Sequence, residues 1–363
     1  MQMIDFRSDT VTRPDAAMRE AMASAVVGDD VLGDDPTVKQ LEAEFAQTLR
    51  KEQALFVPSG TMGNVIAVLV HARPGDELVM EERTHTFQYE GGAACRFGGV
   101  SIRTFDRPSG IPEIEDVARC LRNPHDIHQP RSSLFVLENT HNMAGGRVVP
   151  LRRVEELSEY VHGKGLRMHM DGARLFNAAV AAGRSAAEIA ASADSVQCCL
   201  SKGLGAPVGS MIAGTSEFIQ EARRVRKALG GGMRQAGVIA AAGLLALHDG
   251  PARLGQDHEK ARTLAAVLAS LPGFAVDLDA VETNIIMVDL EGWDAPSVVS
   301  AAGERDVAFF DITPTRLRFV LHRDVSREQV EQAGLVLQEL FGAGPAAFED
   351  SRGEAQDPET WNP

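Results

Sequence analysis

The strongest constraint on the fold of this chain is an alternation of period. Short apolar runs that close in glycine, proline or a polar turn are separated by segments with helical spacing, a pattern that folds as helices packed on a largely parallel sheet. Strands are expected at Ala54–Val57, Glu77–Met80, Val100–Phe105, Ser132–Leu137, Leu166–Met170, Ser195–Leu200 and Val208–Ala213. Asp35-Pro36 opens a helix with an acid at the cap and proline in the first turn, and Val38, Leu41, Phe45 and Leu49 mark its apolar stripe. Glu113–Leu121 and Leu151–His162 read as further helices. Beyond about residue 250 the texture changes. A long helix (Ala252–Leu271), strands at Phe274–Val276, Thr283–Leu290 and Arg316–His322, and a helix from Ser326 to Phe341 describe a smaller α+β unit. The expected organisation is an N-terminal arm (1–15), a large α/β domain (16–250), a small C-terminal domain (251–342) and a disordered tail (343–363).

Composition narrows the function. The chain carries 36 basic and 51 acidic side chains, a net charge of −15, and a nucleic-acid partner, which needs a cationic face, is not expected. Met1–Ser8 has no basic stretch followed by an apolar one, so no signal peptide is expected. The longest apolar run, Ala236–Leu247, falls well short of the ~20 residues of a spanning helix, so no membrane partner is expected either. Cys95, Cys120, Cys198 and Cys199 form no CxxC pair or zinc spacing; the expectation is no metal and a reducing, cytoplasmic compartment.

Open parallel sheets bind ligands beyond the carboxyl ends of their strands, and three of those ends carry chemistry. One strand leads into Ser201-Lys202 and a glycine-rich run, Gly203 to Gly209. A lysine there is either an ordinary loop lysine or, if desolvated, the free amine that a Schiff base needs. The glycines miss the dinucleotide spacing by one residue, and a strand rather than a helix follows them. A second strand ends in Asp171, which either caps the helix that starts near Arg174 or pairs with a pyridinium nitrogen. Pro58-Ser59-Gly60-Thr61 joins a strand to a helix, an ordinary turn or an anion site of free N–H groups. Taken together, in that placement, phosphate cradle, ring partner and lysine are the three contacts that pyridoxal phosphate requires.

Longer blocks narrow the reading further. Arg7-Ser-Asp-Thr-Val-Thr-Arg-Pro14, Val27-Gly-Asp-Asp-Val-Leu-Gly-Asp-Asp-Pro36, Pro58-Ser-Gly-Thr-Met-Gly-Asn64, Glu138-Asn-Thr-His-Asn142, Asp171-Gly-Ala-Arg-Leu-Phe-Asn177, Leu200-Ser-Lys-Gly-Leu-Gly-Ala-Pro-Val-Gly209 and Gly230-Gly-Gly-Met-Arg-Gln235 resemble the L-threonine aldolases, from about Ile4 to Leu340. The resemblance implies the aspartate-aminotransferase-like fold type I and pyridoxal phosphate as cofactor. It implies Lys202 as the Schiff-base lysine, Asp171 as the ring-nitrogen partner, Gly60 and Thr61 at the phosphate, and His85 stacked on the ring. Arg174 and Arg318 match residues that bind cofactor and substrate carboxylate, with Arg316 on the same strand face as an alternative to Arg318. Ser8 matches a carboxylate contact from the arm, and His128 a residue near the substrate hydroxyl. Lys227 and Arg234 match groups that reach the phosphate from a neighbouring subunit, which implies a homodimer with shared sites and a homotetramer built from it. Leu32 stands where the family usually carries an aromatic residue.

The implied reaction is reversible retro-aldol cleavage of L-threonine, L-allo-threonine or related L-β-hydroxy-α-amino acids to glycine and an aldehyde. His85, His128 or a bound water are the candidates for the general base. The rival readings are an amino-acid racemase or aminotransferase on the same scaffold, and a cofactor-binding protein without catalysis.

Overall fold

The computed structural model describes residues 3–352. In chain order the strands are β1 (Ile4–Asp5), β2 (Gln53–Val57), β3 (Glu77–Glu81), β4 (Ser101–Phe105), β5 (Ser132–Glu138), β6 (Arg167–Asp171), β7 (Ser195–Cys199) and β8 (Ser210–Gly214). The C-terminal unit adds β9 (Phe274–Ala275), β10 (Ile285–Leu290), β11 (Val307–Ala308), β12 (Phe310–Thr313) and β13 (Arg316–Val320). The seven-stranded sheet has the order β2-β8-β7-β6-β5-β3-β4. All neighbours from β7 to β4 pair in parallel; β8 runs antiparallel to both β2 and β7. Its strands are buried along most of their length because helices cover both faces, whereas the edge strand β4 is only partly buried. The expected α/β architecture and each strand expected in the large unit are present, with ends displaced by a residue or two.

The C-terminal unit packs a second core around Phe274, Trp293, Phe309, Phe319 and Phe341 over the sheet β12-β13-β10-β9. The N-terminal arm is stitched into it. β1 pairs in parallel with β11, Phe6 is fully buried, and Val320 N–H donates to Phe6 C=O at 2.8 Å. This carries Ser8 and Asp9 into the cleft between the units.

Two expectations change. The Gly237–Leu268 helix runs unbroken through Pro251, so no break falls at residue 250. Its first half buries Ala240, Ala246 and Leu247 in the large core and its second half buries Ala261, Leu264 and Leu268 in the small one, so packing on both sides of the proline keeps the helix continuous. Part of the tail is also ordered. Pro345–Arg352 is helical, and Phe348 lies 5.3 Å from Trp293 and 5.5 Å from Phe341 between ring centroids. The rest of the expected disordered tail, 353–363, lies outside the described residues. Among the described residues no helix is long and apolar enough to cross a membrane.

Candidate active site

Five strand ends meet at one edge of the large sheet. β2 runs through Pro58-Ser59 into the Gly60–His71 helix, β3 ends in Glu81 ahead of His85, β5 ends in Glu138, β6 in Asp171, and β7 leads through Leu200-Ser201 to Lys202. Parallel pairing sends these ends the same way, and β2, two antiparallel steps from β7, points with them. A cavity of about 470 Å³ opens there, with Ser8, His85, Asp171, Arg174, Lys202 and Arg318 in its wall. A second, of about 180 Å³, reaches Ser59, Gly60, Thr61, Asn64 and Gln197 and shares His85, Asp171, Ala173 and Lys202 with the first.

Asp171 is buried where the two cavities meet. Its Oδ2 accepts from Asn64 Nδ2 at 2.8 Å and its Oδ1 from the Ala173 N–H at 3.1 Å. The same Asn64 nitrogen donates to Glu90 Oε1 (2.8 Å), which also meets His85 Nδ1 (3.0 Å). Burial pushes the Glu90 carboxyl up. Burial also pulls His85 down, but the Glu90 hydrogen bond and the Asp171 charge outweigh it, and the His85 pKa is raised. Ligand atoms of His85, Glu90 and Asp171 all lie within 4.8 Å of one another. Two carboxylates around one basic position suit a protonated ring nitrogen.

The candidate phosphate cradle is the first turn of the Gly60–His71 helix. Ser59 caps it through Met62 N–H (3.2 Å), which leaves the Gly60 and Thr61 N–H groups for an anion. The glycines here serve packing as well as access. A Cβ on Gly60 would stand 2.6 Å from Gln197 Nε2, and one on Gly63 2.7 Å from Gln197 Cγ. The run after Lys202 is a reversal between β7 and β8, with Gly205 at φ +89° and Gly209 at φ +107°. Thr12 Oγ1 donates to the Lys202 carbonyl at 3.0 Å, so the arm pins the lysine's backbone.

The wall of the larger cavity also carries two guanidinium groups, of which only Arg174 has a carboxylate partner among the described residues. Arg174 is buried and grips Asp9 through Nε and Nη2, both at 2.7 Å. Burial opposes ionisation of Asp9, but Arg174 outweighs it and holds the pKa at about 2. Arg318 has no carboxylate partner among the described residues. Its Nη1 and Nη2 make only 3.4 Å contacts with Asn142 Oδ1 and the Arg7 carbonyl, and its buried Nε has no partner. Burial and then the nearby Arg174 charge lower its pKa. A desolvated guanidinium without a carboxylate partner, in a cavity wall, has the chemistry to bind one.

The residues fit pyridoxal phosphate: an amine-bearing side chain, an acid cluster for the ring nitrogen and a helix N-terminus line one space, and the buried Gln197 Oε1 and Glu90 Oε2 lack protein partners there. Of the expected site residues, Ser8, Gly60, Thr61, His85, Asp171, Arg174, Lys202 and Arg318 come together. Arg174 differs from expectation because its fork is committed to Asp9; only Nη1, 3.4 Å from Asn142 Oδ1, remains toward the cavity. Arg316 points away, held by Asp289 at 2.6 and 2.8 Å. His128 lies in an exposed loop, its N–H on Asp126, outside both cavities of this chain. Lys227 and Arg234 are exposed elsewhere, Arg234 on Asp29 at 2.9 Å and Lys227 in a groove with Leu32 and Arg224. Sequence reasoning missed Asp9, Asn64, Glu90, Asn142 and Gln197. Asp9, Asn64 and Asn142 stand inside quoted blocks, but their partners are distant in sequence.

The beta-eliminating lyase family model matches residues 5–291. The chain belongs to the beta-eliminating lyase family. It is 44% identical over 352 residues to the low-specificity L-threonine aldolase 1 of Arabidopsis thaliana, covering 93% of this chain and 98% of that one. It is 42% identical over 331 residues to the low specificity L-threonine aldolase of Escherichia coli K12, covering 91% and 97%. A more distant relative, 33% identical over 96% of this chain and 90% of its own length, is the alanine racemase TOXG of Cochliobolus carbonum. The fold matches that of Leishmania major threonine aldolase with a TM-score of 0.81 at 20% identity, over 93% of this chain and 99% of that one. The resemblance read from the sequence blocks and the fold type I architecture are both borne out.

Proposed function

We infer that this family member is a pyridoxal-phosphate-dependent aldolase. It reversibly cleaves L-threonine, L-allo-threonine and related L-β-hydroxy-α-amino acids to glycine and an aldehyde. The observation that carries this is the presence, in one cavity with Lys202 and Asp171, of an Arg318 that has no carboxylate partner among the described residues and whose buried Nε is unpaired. Held there, pyridoxal phosphate supplies an aldehyde that takes up an amine and a ring that accepts the electron pair of the broken Cα–Cβ bond.

The chain's own residues set the rest. Lys202 Nζ is the anchoring amine, and the Gly60 and Thr61 N–H groups take the phosphate. Asp171, fixed by Asn64, keeps the ring-nitrogen proton in place. Arg318 and Ser8 bind the substrate carboxylate and so set which bond at Cα stands perpendicular to the ring. Arg174 Nη1 supports the same carboxylate while Asp9 holds its fork. His85 leaves Nε2 toward the cavity; His85, His128 or a bound water takes the β-hydroxyl proton. A second copy of the chain brings Lys227, Arg234 and His128 to the site, in a homodimer that associates further to a tetramer. Exposed Val26, Val27 and Leu32 (69%, 40% and 74%) and the groove beside them support that reading. Free Cys95, Cys120, Cys198 and Cys199 accord with a cytoplasmic setting.

The test is carbon–carbon bond formation. Purified holoenzyme given glycine and acetaldehyde should yield a β-hydroxy-α-amino acid, and L-threonine should release acetaldehyde. The racemase-named relative keeps one alternative in view. Racemisation of L-alanine with no acetaldehyde from L-threonine would replace the aldolase reading.

A further inference from the structure

Behind the ring-nitrogen cluster runs a line of buried polar groups that the reaction itself does not use. His71 Nε2 meets Ser195 Oγ at 2.9 Å, Ser195 Oγ meets His169 Nδ1 at 2.8 Å, and His169 Nε2 meets Asn64 Oδ1 at 3.0 Å. Asn64 Nδ2 then reaches Asp171 and Glu90, both at 2.8 Å. His169 and Ser195 are fully buried and Asn64 almost so; His71 stacks on Phe218 at 4.8 Å nearer the surface. Three elements contribute: β6 and β7 from the sheet, and the helix whose first turn is the phosphate cradle and whose last residue is His71.

The direction of every hydrogen bond in this line follows from its end. The Asn64 amide nitrogen has two hydrogens and lies 2.8 Å from an oxygen of each acid, one hydrogen for each. Asn64 Oδ1 must therefore face His169, and His169 Nε2 must carry a hydrogen. Burial holds His169 at about 4 and His71 at about 3, so both rings are neutral at physiological pH and each has a single N–H. His169 Nδ1 is then a bare acceptor for the Ser195 hydroxyl, and Ser195 Oγ in turn accepts from His71 Nε2–H. Reversed, the line would set the buried Asn64 carbonyl against the oxygens of Asp171 and Glu90 and its amide nitrogen against the His169 ring.

We propose that His169 is a positioning residue of the aldolase: its Nε2–H fixes the amide orientation of Asn64, and through it the carboxylate of Asp171 that faces the ring nitrogen. The inference rests on the pyridoxal-phosphate reading of the site, but its core, a single tautomer and a single amide orientation, is a property of the protein alone.

The side-chain geometry supplies its own discriminating variants. Gln carries a donor nitrogen as many bonds from Cβ as His Nε2, so His169→Gln keeps the donor to Asn64. Leu fills similar space without a donor. His169→Leu should lower kcat by about tenfold with little change in KM, the loss expected for one buried hydrogen bond. It should also shift the absorbance titration of the bound cofactor, while His169→Gln restores both. In the cofactor-free wild type, nitrogen-15 NMR should report His169 as the neutral Nε2–H tautomer. An Nδ1–H tautomer would overturn the proposal, as would a His169→Leu enzyme with unchanged kcat and titration. Equal damage in the Gln and Leu variants would reduce His169 to a packing residue and overturn it too. Failure of the wild type to bind pyridoxal phosphate would instead sink the functional reading and leave the tautomer result standing.

Discussion

At the scale of single residues, the proposed carboxylate site turns on the separation of Arg318 from Arg316. The two stand two residues apart on β13, on one strand face, so sequence spacing alone admits either. Arg316 spends its fork on Asp289 at the surface, whereas Arg318 has an unpartnered Nε in the cavity wall. Losing a bidentate, charge-assisted pair costs about 3–6 kcal/mol, so Arg318→Ala should lower kcat/KM by roughly 10²–10⁴. Arg316→Ala should change it little, since an exposed ion pair is worth about 1 kcal/mol or less. Steady-state kinetics on both variants read the outcome; the reverse ranking would move the carboxylate site off Arg318. Asp9 makes a separate prediction. Its pKa falls from 3.8 to about 2 on folding, so its ionised form is the one the fold favours. That is worth about 2 kcal/mol, present in full above the unfolded pKa near 4 and lost as pH falls through about 2. The stability gap between wild type and Asp9→Asn, read from denaturant midpoints, should therefore shrink as pH falls from about 4 toward 2. A gap that stays constant over that range would mean that Asp9 is not ionised against Arg174. Asp9 was not legible in the sequence because its partner is 165 residues away, and nothing local distinguishes it from any other acid in a polar arm.

Single elements show why the cradle block reads Pro58-Ser-Gly-Thr-Met-Gly-Asn64. The Gly60–His71 helix lies so close to β7 that both of its first-turn glycines face Gln197. An alanine at 60 meets the Gln197 amide at 2.6 Å and Cys199 Sγ at 2.9 Å. Gly60→Ala should therefore destabilise the cofactor-free protein, and Gln197→Ala should relieve the clash. A double-mutant cycle on unfolding should show a favourable coupling on the order of 1–3 kcal/mol. Strict additivity would free Gly60 from any packing role and leave only access to the anion. The strands were legible because they are buried apolar runs and their ends carry punctuating residues. Pairing direction was not. β8 looks like any other strand, and only the return without a crossover helix after Lys202 makes it antiparallel to β7. The two-residue strands β1 and β11 are too short for periodicity to register.

For the whole molecule, the question is whether one chain contains a complete site. The cavity holds Lys202, Asp171, Arg318 and the cradle, yet Lys227, Arg234 and His128 lie on other surfaces of the same chain. In a two-fold dimer each shared site would take Lys202 from one chain and Lys227 with Arg234 from the other. Complementation tests this directly. A Lys202→Ala chain lacks the proposed anchoring amine, and a Lys227→Ala/Arg234→Ala chain should bind the cofactor poorly, so each alone should be nearly inactive. Mixed after dissociation and reassociated, they should form hybrids with one intact site and one doubly damaged site. For equal, random mixing of two-fold dimers, about half of the dimers are hybrids and the recovered activity is about a quarter of wild type. If all three residues served the same chain's site, every site in the mixture would stay damaged and no activity would return. Sedimentation of the mixture, run alongside, separates failure to associate from failure to complement.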